Sequence, residues 1–352
     1  MSPPIRVAPC TDQWVDAVRA FNQRIAASQQ QLPETPRPGW MPGMEVFLAT
    51  EGDAVRGGYI LRRQRFWVAG RETSAAHYRL PLSEGVADRR YAGLGLRLVR
   101  DALAREPRLY ALGMGGWDKP LPQMLKRLGW RMCEVPFHFK VLHAGRFLRN
   151  IEALRTSPLR RLGLDAAALT GAGGLGMAVM GHGKRVDPVK RDVASAFAGW
   201  ADEVWDRARE QYGLIAARDA DTLDALYPPA DTRFLRVRAG GGWAVALDTQ
   251  MRGHKQFGDM RVGSIVDCLA APQDAAGVIR AATCELEERE VDMVISNQLH
   301  GRWSAALRDG GFRAGPSNFL LALSPALATL AGAAPEHDFH FNRGDGDGPI
   351  HL

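Results

Sequence analysis

The most informative part of the sequence is Tyr78-Arg-Leu-Pro-Leu-Ser-Glu-Gly-Val-Ala-Asp-Arg-Arg-Tyr-Ala-Gly-Leu-Gly-Leu-Arg-Leu-Val-Arg-Asp-Ala-Leu103. It predicts a strand, a short loop rich in arginine and glycine, and then a helix. The helix is amphipathic, because Leu94, Leu98, Val99 and Ala102 recur at helical spacing on one side.

The loop contains Arg90-Tyr91-Ala92-Gly93-Leu94-Gly95, which has the form Arg-x-x-Gly-x-Gly. Glycines leave the backbone N–H groups at the start of a helix uncrowded, and those groups favour phosphate. Arg89 and Arg90 add positive charge at the same place. The loop is therefore a candidate diphosphate site, with a tight turn or close helix packing as the alternative explanation of the two glycines.

The order of elements around this loop resembles the GNAT superfamily of acyl-CoA N-acyltransferases, whose pyrophosphate loop has the form Gln/Arg-x-x-Gly-x-Gly/Ala. Arg90, Gly93 and Gly95 match that pattern. A strand follows at residues 108–114, and then a helix that ends in Gly129-Trp130, similar to the Gly-aromatic segment of the family. The resemblance implies a mixed α/β fold and acetyl-CoA or another acyl-CoA as co-substrate, bound by residues of the loop and the preceding strand: Leu82, Arg89, Arg90, Tyr91, Ala92, Gly93, Leu94 and Gly95.

The same order of elements occurs twice along the chain. We predict two tandem GNAT-like domains, each a mixed, mostly antiparallel sheet flanked by helices. Their bounds are residues 1–145 and 193–330, with a connector at 146–192 and a C-terminal tail at 331–352. Gly311-Phe312 parallels Gly129-Trp130, whereas residues 271–277 lack the Arg-x-x-Gly-x-Gly form and contain Asp274, which repels phosphate. We therefore expect only the first half to hold the co-substrate in this way.

Acyl transfer to an amine requires alignment of the reactants, a base for the ammonium and donors for the oxyanion. In the family, two neighbouring strands separate around the pantetheine arm. The oxyanion donor is then expected between Leu80 and Leu82, where Pro81 has no N–H. Glu84, at the end of the strand, is the predicted general base, and a solvated carboxylate is the alternative; His77 could serve instead.

Many members of the family have a tyrosine as general acid four residues before the Gly-aromatic pair. This chain has Leu125 there in the first half and Leu307 in the second. The thiolate can leave unassisted, because thiol pKa values are only mildly basic. Otherwise Tyr110, the predicted general acid, or Tyr91 takes the role.

Composition narrows the possible partners. Residues 1–160 contain 25 Lys and Arg against 14 Asp and Glu, so the positive charge is concentrated in the first half. No zinc-finger spacing, RNP motif or polybasic run accompanies it, so we predict no DNA partner, and the same absence disfavours tRNA. Four cysteines without a CxxC pair predict reduced, buried thiols and a cytoplasmic location.

Two further segments stand out. Residues 166–180 are apolar and glycine-rich but short for a membrane span, and basic residues flank them. They predict a connector or packing helix, or else peripheral contact with an anionic membrane through residues 160–185. In the tail, Asp345-Gly-Asp347-Gly348 is similar to the start of a calcium loop without its final glutamate, and we expect no metal there. A tail folded over the cleft between the two halves is the preferred interpretation.

Together these observations predict an N-acyltransferase that acts on a small-molecule amine. Tandem GNAT-like proteins with a similar tail belong to polysaccharide and cell-surface assembly, so the resemblance implies an amino sugar or nucleotide-linked sugar as acceptor. Two alternatives remain at this stage. One is an aminoacyl-tRNA-dependent transferase of cell-wall assembly, and the other is a catalytically degenerate binding or scaffold protein.

Overall fold

The computed structural model of the chain describes residues 3–34, 43–152, 164 and 189–346. The chain forms two compact units. The first unit comprises Met1–Cys133 and Leu320–Ala333, and the second comprises Glu134–Phe319 and Ala334–Leu352. The predicted fold class is confirmed, because each unit contains a mixed sheet flanked by helices.

The helices of the described residues are, in chain order, α1 (Val15–Arg24), α2 (Leu94–Arg105), α3 (Pro120–Arg127), α4 (Ala144–Asn150), α5 (Gly199–Ala208), α6 (Ala220–Leu226), α7 (Ala275–Glu288), α8 (Gly301–Asp309) and α9 (Pro325–Ala331). The strands are β1 (Arg6–Pro9), β2 (Met44–Glu51), β3 (Ala54–Val68), β4 (Arg71–Ser83), β5 (Leu109–Leu112), β6 (Arg131–Glu134), β7 (Phe137–Val141), β8 (Asp192–Ala194), β9 (Leu214–Ala216), β10 (Leu235–Ala239), β11 (Gly242–Gln250), β12 (Arg261–Leu269), β13 (Met293–Asn297), β14 (Arg313–Gly315), β15 (Leu320–Leu323) and β16 (Phe339–His340).

The sheet of the first unit has the order β1-β2-β3-β4-β5-β15-β6. Its centre is the long antiparallel pair of β3 and β4, with 15 and 13 residues. These two strands form one long hairpin. β4 and β5 run parallel, as expected for two strands joined by a helix, here α2.

The sheet of the second unit has the equivalent order, β8-β10-β11-β12-β13-β7-β14. Its parallel pair is β12 and β13, and α7 joins them. The match of the two orders confirms the duplication that the sequence predicts. The helix ends match as well, because Gly129 and Gly311 both have a left-handed φ, at 77° and 83°. The following Trp130 and Phe312 donate backbone hydrogen bonds to Leu125 and Leu307, which is a Schellman end in each case.

One predicted assignment is wrong. The predicted ranges 1–145 and 193–330 place residues 131–142 in the first half and residues 318–324 in the second. Instead, β7 pairs with β13 in the second sheet, and β15 pairs with β5 in the first. The sequence of a short apolar strand does not indicate which sheet it joins. The prediction therefore followed the order of elements along the chain and placed each strand with its neighbours in sequence. The units consequently differ from the predicted ranges 1–145 and 193–330.

The core of the first unit lies on both faces of its sheet. Alternation along β3 sends Tyr59 and Leu61 to the side of α2 and α3, and Ile60 to the side of α1. The apolar side of α2, formed by Leu94, Leu98, Val99 and Ala102, is buried as its periodicity predicts. This packing sets the position of the first turn of α2, and therefore the position at which the preceding loop ends.

Some predictions fall outside the described residues. The apolar segment 166–180, the membrane contact through 160–185 and most of the connector cannot be placed, nor can Asp347 and Gly348 of the tail. Within the described ranges, none of the helices is both long and apolar enough to cross a bilayer.

Candidate functional site

The predicted loop connects β4 to α2 through two single-turn 3₁₀ segments. Ser83 Oγ accepts from Gly85 N at 3.1 Å, and Asp88 Oδ1 accepts from Arg90 N at 2.9 Å. Gly93 is the N-cap of α2 and offers no side chain to cap it; the first helical N–H with a partner is that of Arg97, which donates to Gly93 O at 3.3 Å. The N–H groups of the first turn are therefore available to an anion.

The space over this turn is open. A Cβ built on Gly93 would meet nothing within 4 Å, and one on Gly95 would lie 4.0 Å from Met124 Cε. Gly85 differs, because a Cβ there would lie 2.5 Å from the carbonyl oxygen of Tyr91. Gly93 and Gly95 thus leave room beside the backbone, as a bound diphosphate requires, whereas Gly85 lets the loop fold against itself. The role of Gly85 was missed, since nothing in the sequence shows which segment it touches.

The two arginines of the loop point outward. Arg89 is exposed, and Arg90 donates to Asp88 Oδ2 from Nε and Nη2 at 2.8 and 2.6 Å. These hydrogen bonds lower the pKa of the Asp88 carboxyl. In this structure the Arg90 charge is directed to Asp88, so the backbone of the turn is the stronger part of the anion site.

β4 and β5 separate next to this turn. Their register pairs only Ala76 with Leu109 and His77 with Tyr110, and β4 then continues to Ser83 beyond the paired region. A bulge interrupts the pairing of β4 with β3 at this point, and Leu80 has φ 49°. The opening between β4 and β5, here called the first fork, lies where the sequence predicts the oxyanion donor, between Leu80 and the buried Leu82.

A row of polar side chains crosses the sheet at the base of the first fork. Arg62 is the register partner of His77, which is the partner of Tyr110. The His77 and Tyr110 rings stack, with centroids 4.8 Å apart and planes 7° apart. Tyr110 Oη accepts from Gln64 Nε2 at 2.6 Å and from Arg62 Nη2 at 3.2 Å. In both of these contacts the Tyr110 oxygen is the acceptor.

His77 is a neutral imidazole in this row. Burial, followed by the charges of Arg62 and Arg79, holds its pKa well below the ordinary value. Its Nδ1 atom is buried without a hydrogen-bond partner in the part of the chain that the structure describes. The sequence identified His77 and Tyr110 separately, but only the fold shows that they are in contact.

Glu84 lies apart from this row. Its carboxylate accepts from Arg24 and Arg56, and its side chain is buried. The structure therefore does not bring the two predicted catalytic residues, Glu84 and Tyr110, into hydrogen-bond contact. The positions that lack the family tyrosine are both core positions, since Leu125 and Leu307 are fully buried.

The corresponding opening of the second unit, here called the second fork, contains part of the chain. The register of β12 with β13 ends at Ile265 and Ser296. Beyond it, Asn342 forms a backbone bridge with Gln298, next to β13, and donates from Nδ2 to Asp267 Oδ1 on β12 at 2.8 Å. The tail segment Phe339–Asp345 thus spans the second fork.

The tail aspartate and histidines do not form a metal site in the described ranges. Asp345 pairs with Arg218, and His340 is fully buried against Tyr212 with ring centroids 4.9 Å apart. His337 lies near Asp338 at 3.6 Å.

A cavity of about 380 Å³ lies elsewhere in the second unit. Its lining includes Trp200, Arg207, Arg238 and the residues 240–242. It contains none of the predicted site residues, and the open turn of α2 is the better candidate for donor binding.

Comparison with known proteins supports the fold. The chain matches no protein-family profile, and no curated protein sequence matches it. Among solved structures, it is similar to the N-myristoyltransferase of Saccharomyces cerevisiae with bound myristoyl-CoA, at 7% identity and a TM-score of 0.52, over 91% of this chain and 78% of that one. It is also similar to a GCN5-related N-acetyltransferase from Kribbella flavida, at 14% identity and a TM-score of 0.52, over 91% and 70% of the two chains. At these identities the likeness shows the fold alone.

Proposed function

We propose that the protein is an acyl-CoA-dependent N-acyltransferase and that the first unit holds the donor. The observation that carries the proposal is the uncapped, open first turn of α2 at the mouth of the first fork. A diphosphate beside Gly93 and Gly95 would accept from free N–H groups, and the pantetheine arm would lie between β4 and β5. The structural neighbours with an acyl-CoA ligand or an acetyltransferase name support this proposal.

The reaction is direct transfer. The amine attacks the thioester carbonyl carbon, the C–N bond forms, and the C–S bond then breaks with its electron pair leaving on the thiolate. A backbone N–H of β4 beside Leu80–Leu82 would stabilise the oxyanion. The Tyr110 hydroxyl would protonate the thiolate. His77 would accept the proton of the ammonium through Nδ1, which is buried without a hydrogen-bond partner among the described residues.

The acceptor is a small-molecule amine. An amino sugar or nucleotide-linked sugar of polysaccharide assembly is the finer proposal, which rests on the sequence resemblance. The acyl group is acetyl in this proposal. The myristoyl-CoA of the yeast neighbour makes a long acyl chain the alternative to be tested beside it.

Calorimetry with acetyl-CoA and with longer acyl-CoAs tests the donor. Gly93→Asp is the sharp variant, because its φ of −81° and the surrounding open space accommodate the side chain while a carboxylate repels phosphate. We expect unchanged or raised thermal stability and loss of binding. Gly277→Asp is the matched control, since it lies in the first turn of α7, also with nothing within 4 Å of its Cβ. Normal binding by Gly93→Asp, or no binding of any acyl-CoA by the wild type, contradicts the proposal.

A further inference from the structure

Glu84 occupies the junction between β4 and the loop, and both of its carboxylate oxygens are engaged. Oε1 accepts from Arg24 Nε at 2.7 Å, and Oε2 accepts from Arg56 Nη1 at 3.1 Å. Weaker contacts cross between the same groups, at 3.3 Å from Arg24 Nη2 to Oε2 and at 3.4 Å from Arg56 Nη1 to Oε1. Only 5% of Glu84 is exposed, so water adds little to this pairing.

The network continues from Glu84 to the centre of the loop. Arg56 also donates from Nε to Glu51 Oε2 at 3.1 Å, and the Tyr91 hydroxyl donates to the same oxygen at 2.8 Å. The Arg56 guanidinium lies 4.9 Å from the centroid of the Tyr91 ring. The hydrogen bonds with Glu84 raise the pKa of Arg56 against the opposing effect of burial, so its charge is secure.

The backbone of Glu84 holds the other side of the loop. Its carbonyl oxygen accepts from Ala87 N at 2.9 Å and from Asp88 N at 2.8 Å. Gly85, the next residue, packs against the backbone of Tyr91, so the main chain also links Glu84 to the centre of the loop. Glu84 thus holds the loop through both its side chain and its main chain. This loop precedes the uncapped first turn of α2 in the sequence.

We infer that Glu84 is the positioning residue that holds the loop in the geometry for binding the acyl-CoA diphosphate, and that it is not the general base. This inference rests on the proposed function. A general base must keep a lone pair for the ammonium proton, and the Glu84 lone pairs point at two guanidinium groups from α1 and β3. Its position at the strand end made it the best base candidate in the sequence, where its arginine partners were not visible.

The test is the kinetics of Glu84→Gln in the full chain, with the acyl-CoA that the wild type binds. The amide keeps the shape and loses the charge, so the loop is held less firmly. We expect KM and Kd for the acyl-CoA to rise about tenfold, kcat to stay within about threefold, and the pH profile of kcat to be unchanged. If Glu84 were the general base, kcat rather than KM would change. It would fall by roughly 10²–10⁴-fold, and the acidic limb of the pH profile of kcat would be lost. That result overturns the inference.

Two further variants complete the test. Glu72→Gln is the matched control, because Glu72 is an exposed carboxylate on β4 that pairs with Arg65, away from the loop. It should leave KM and kcat unchanged. Tyr91→Phe removes the hydroxyl at the far end of the network and should raise KM in the same direction. If Glu84→Gln fails to fold, an unchanged KM in Tyr91→Phe overturns the inference and a raised KM supports it. If the wild-type protein binds no acyl-CoA, the proposed function is refuted. That result is distinct from both kinetic outcomes, a change in KM or a change in kcat.

Discussion

The guanidinium of Arg218 donates from Nη2 to both carboxylate oxygens of Asp345, at 2.8 and 2.9 Å, and both side chains are buried. The same guanidinium donates from Nε to Asp267 Oδ1 at 2.9 Å. Asp267 in turn accepts from Tyr227 Oη at 2.8 Å. One guanidinium therefore pairs with two buried carboxylates and ties the tail to β12 at the second fork.

Replacing Arg218 by Met should strongly destabilise the second unit. The change removes the cation and leaves Asp267 and Asp345 buried without it, a loss of about 3–5 kcal/mol for a broken buried pair. The midpoint of urea denaturation measures it. Arg233→Met is the matched control, since Arg233 pairs with Asp231 at the surface and such pairs contribute about 0–1 kcal/mol. Equal urea midpoints for the two variants would show that the buried cluster contributes no more to stability than the surface pair.

Gly344 has no room for a side chain. A Cβ there would lie 2.3 Å from Tyr227 Oη and 2.9 Å from Asp267 Oδ2. Gly344→Ala should therefore displace the tail or its hydrogen-bond partners, at a cost of about 1–3 kcal/mol in the free energy of unfolding. Gly199→Ala, in α5 with nothing within 4 Å, should be neutral or slightly stabilising. A Gly344→Ala protein as stable as the wild type would contradict the close packing described for this segment.

The loop and its helix could be predicted from the sequence because the signals are local. Glycine spacing and the apolar periodicity of α2 lie within 14 residues of one another, from Gly93 to Glu106. The Schellman ends at Gly129 and Gly311 are local as well. The helix and these glycine-terminated helix ends are confirmed, and the binding role of the loop stays a prediction.

The remaining features depend on contacts between distant residues. Glu84 and Arg24 are 60 positions apart, and Arg218 and Asp345 are 127 apart. Many arginines could pair with either acid, so no local signal identifies the partners. The sheets that β7 and β15 join could not be predicted for the same reason. A short strand of alternating or apolar residues can pair in either sheet.

The occupied second fork predicts one acyl-CoA per chain. In the second unit Asn342 spans the gap between β12 and β13, whereas the first fork has the open turn of α2 beside it. Calorimetric titration should give a stoichiometry of about one for the wild type and for Gly277→Asp, and no binding for Gly93→Asp. A stoichiometry of two would mean that the tail does not block the second fork.

Stability should fall in mild acid because of buried neutral histidines. Burial lowers the pKa of His300 to about 4, with Arg302 and His337 acting in the same direction and Asp338 opposing. The unfolded chain takes up the proton near pH 6.5 and the folded chain near 4, so stability is complete above 6.5 and is lost as the pH falls between these values. The loss is about 1.4 kcal/mol per pH unit for each such group. His138, with a pKa lowered to about 4, adds to the effect.

The variant His300→Asn isolates one part of this loss. His300 Nδ1 accepts from Arg302 N at 3.3 Å as the N-cap of α8, and asparagine can cap a helix without titrating in this range. The urea midpoint of the variant should therefore change less than that of the wild type between pH 6.5 and 4.5. His254→Asn, at an exposed position, should keep the wild-type slope. If His300→Asn and the wild type lose stability in parallel, protonation of the His300 imidazole is not a source of the acid sensitivity.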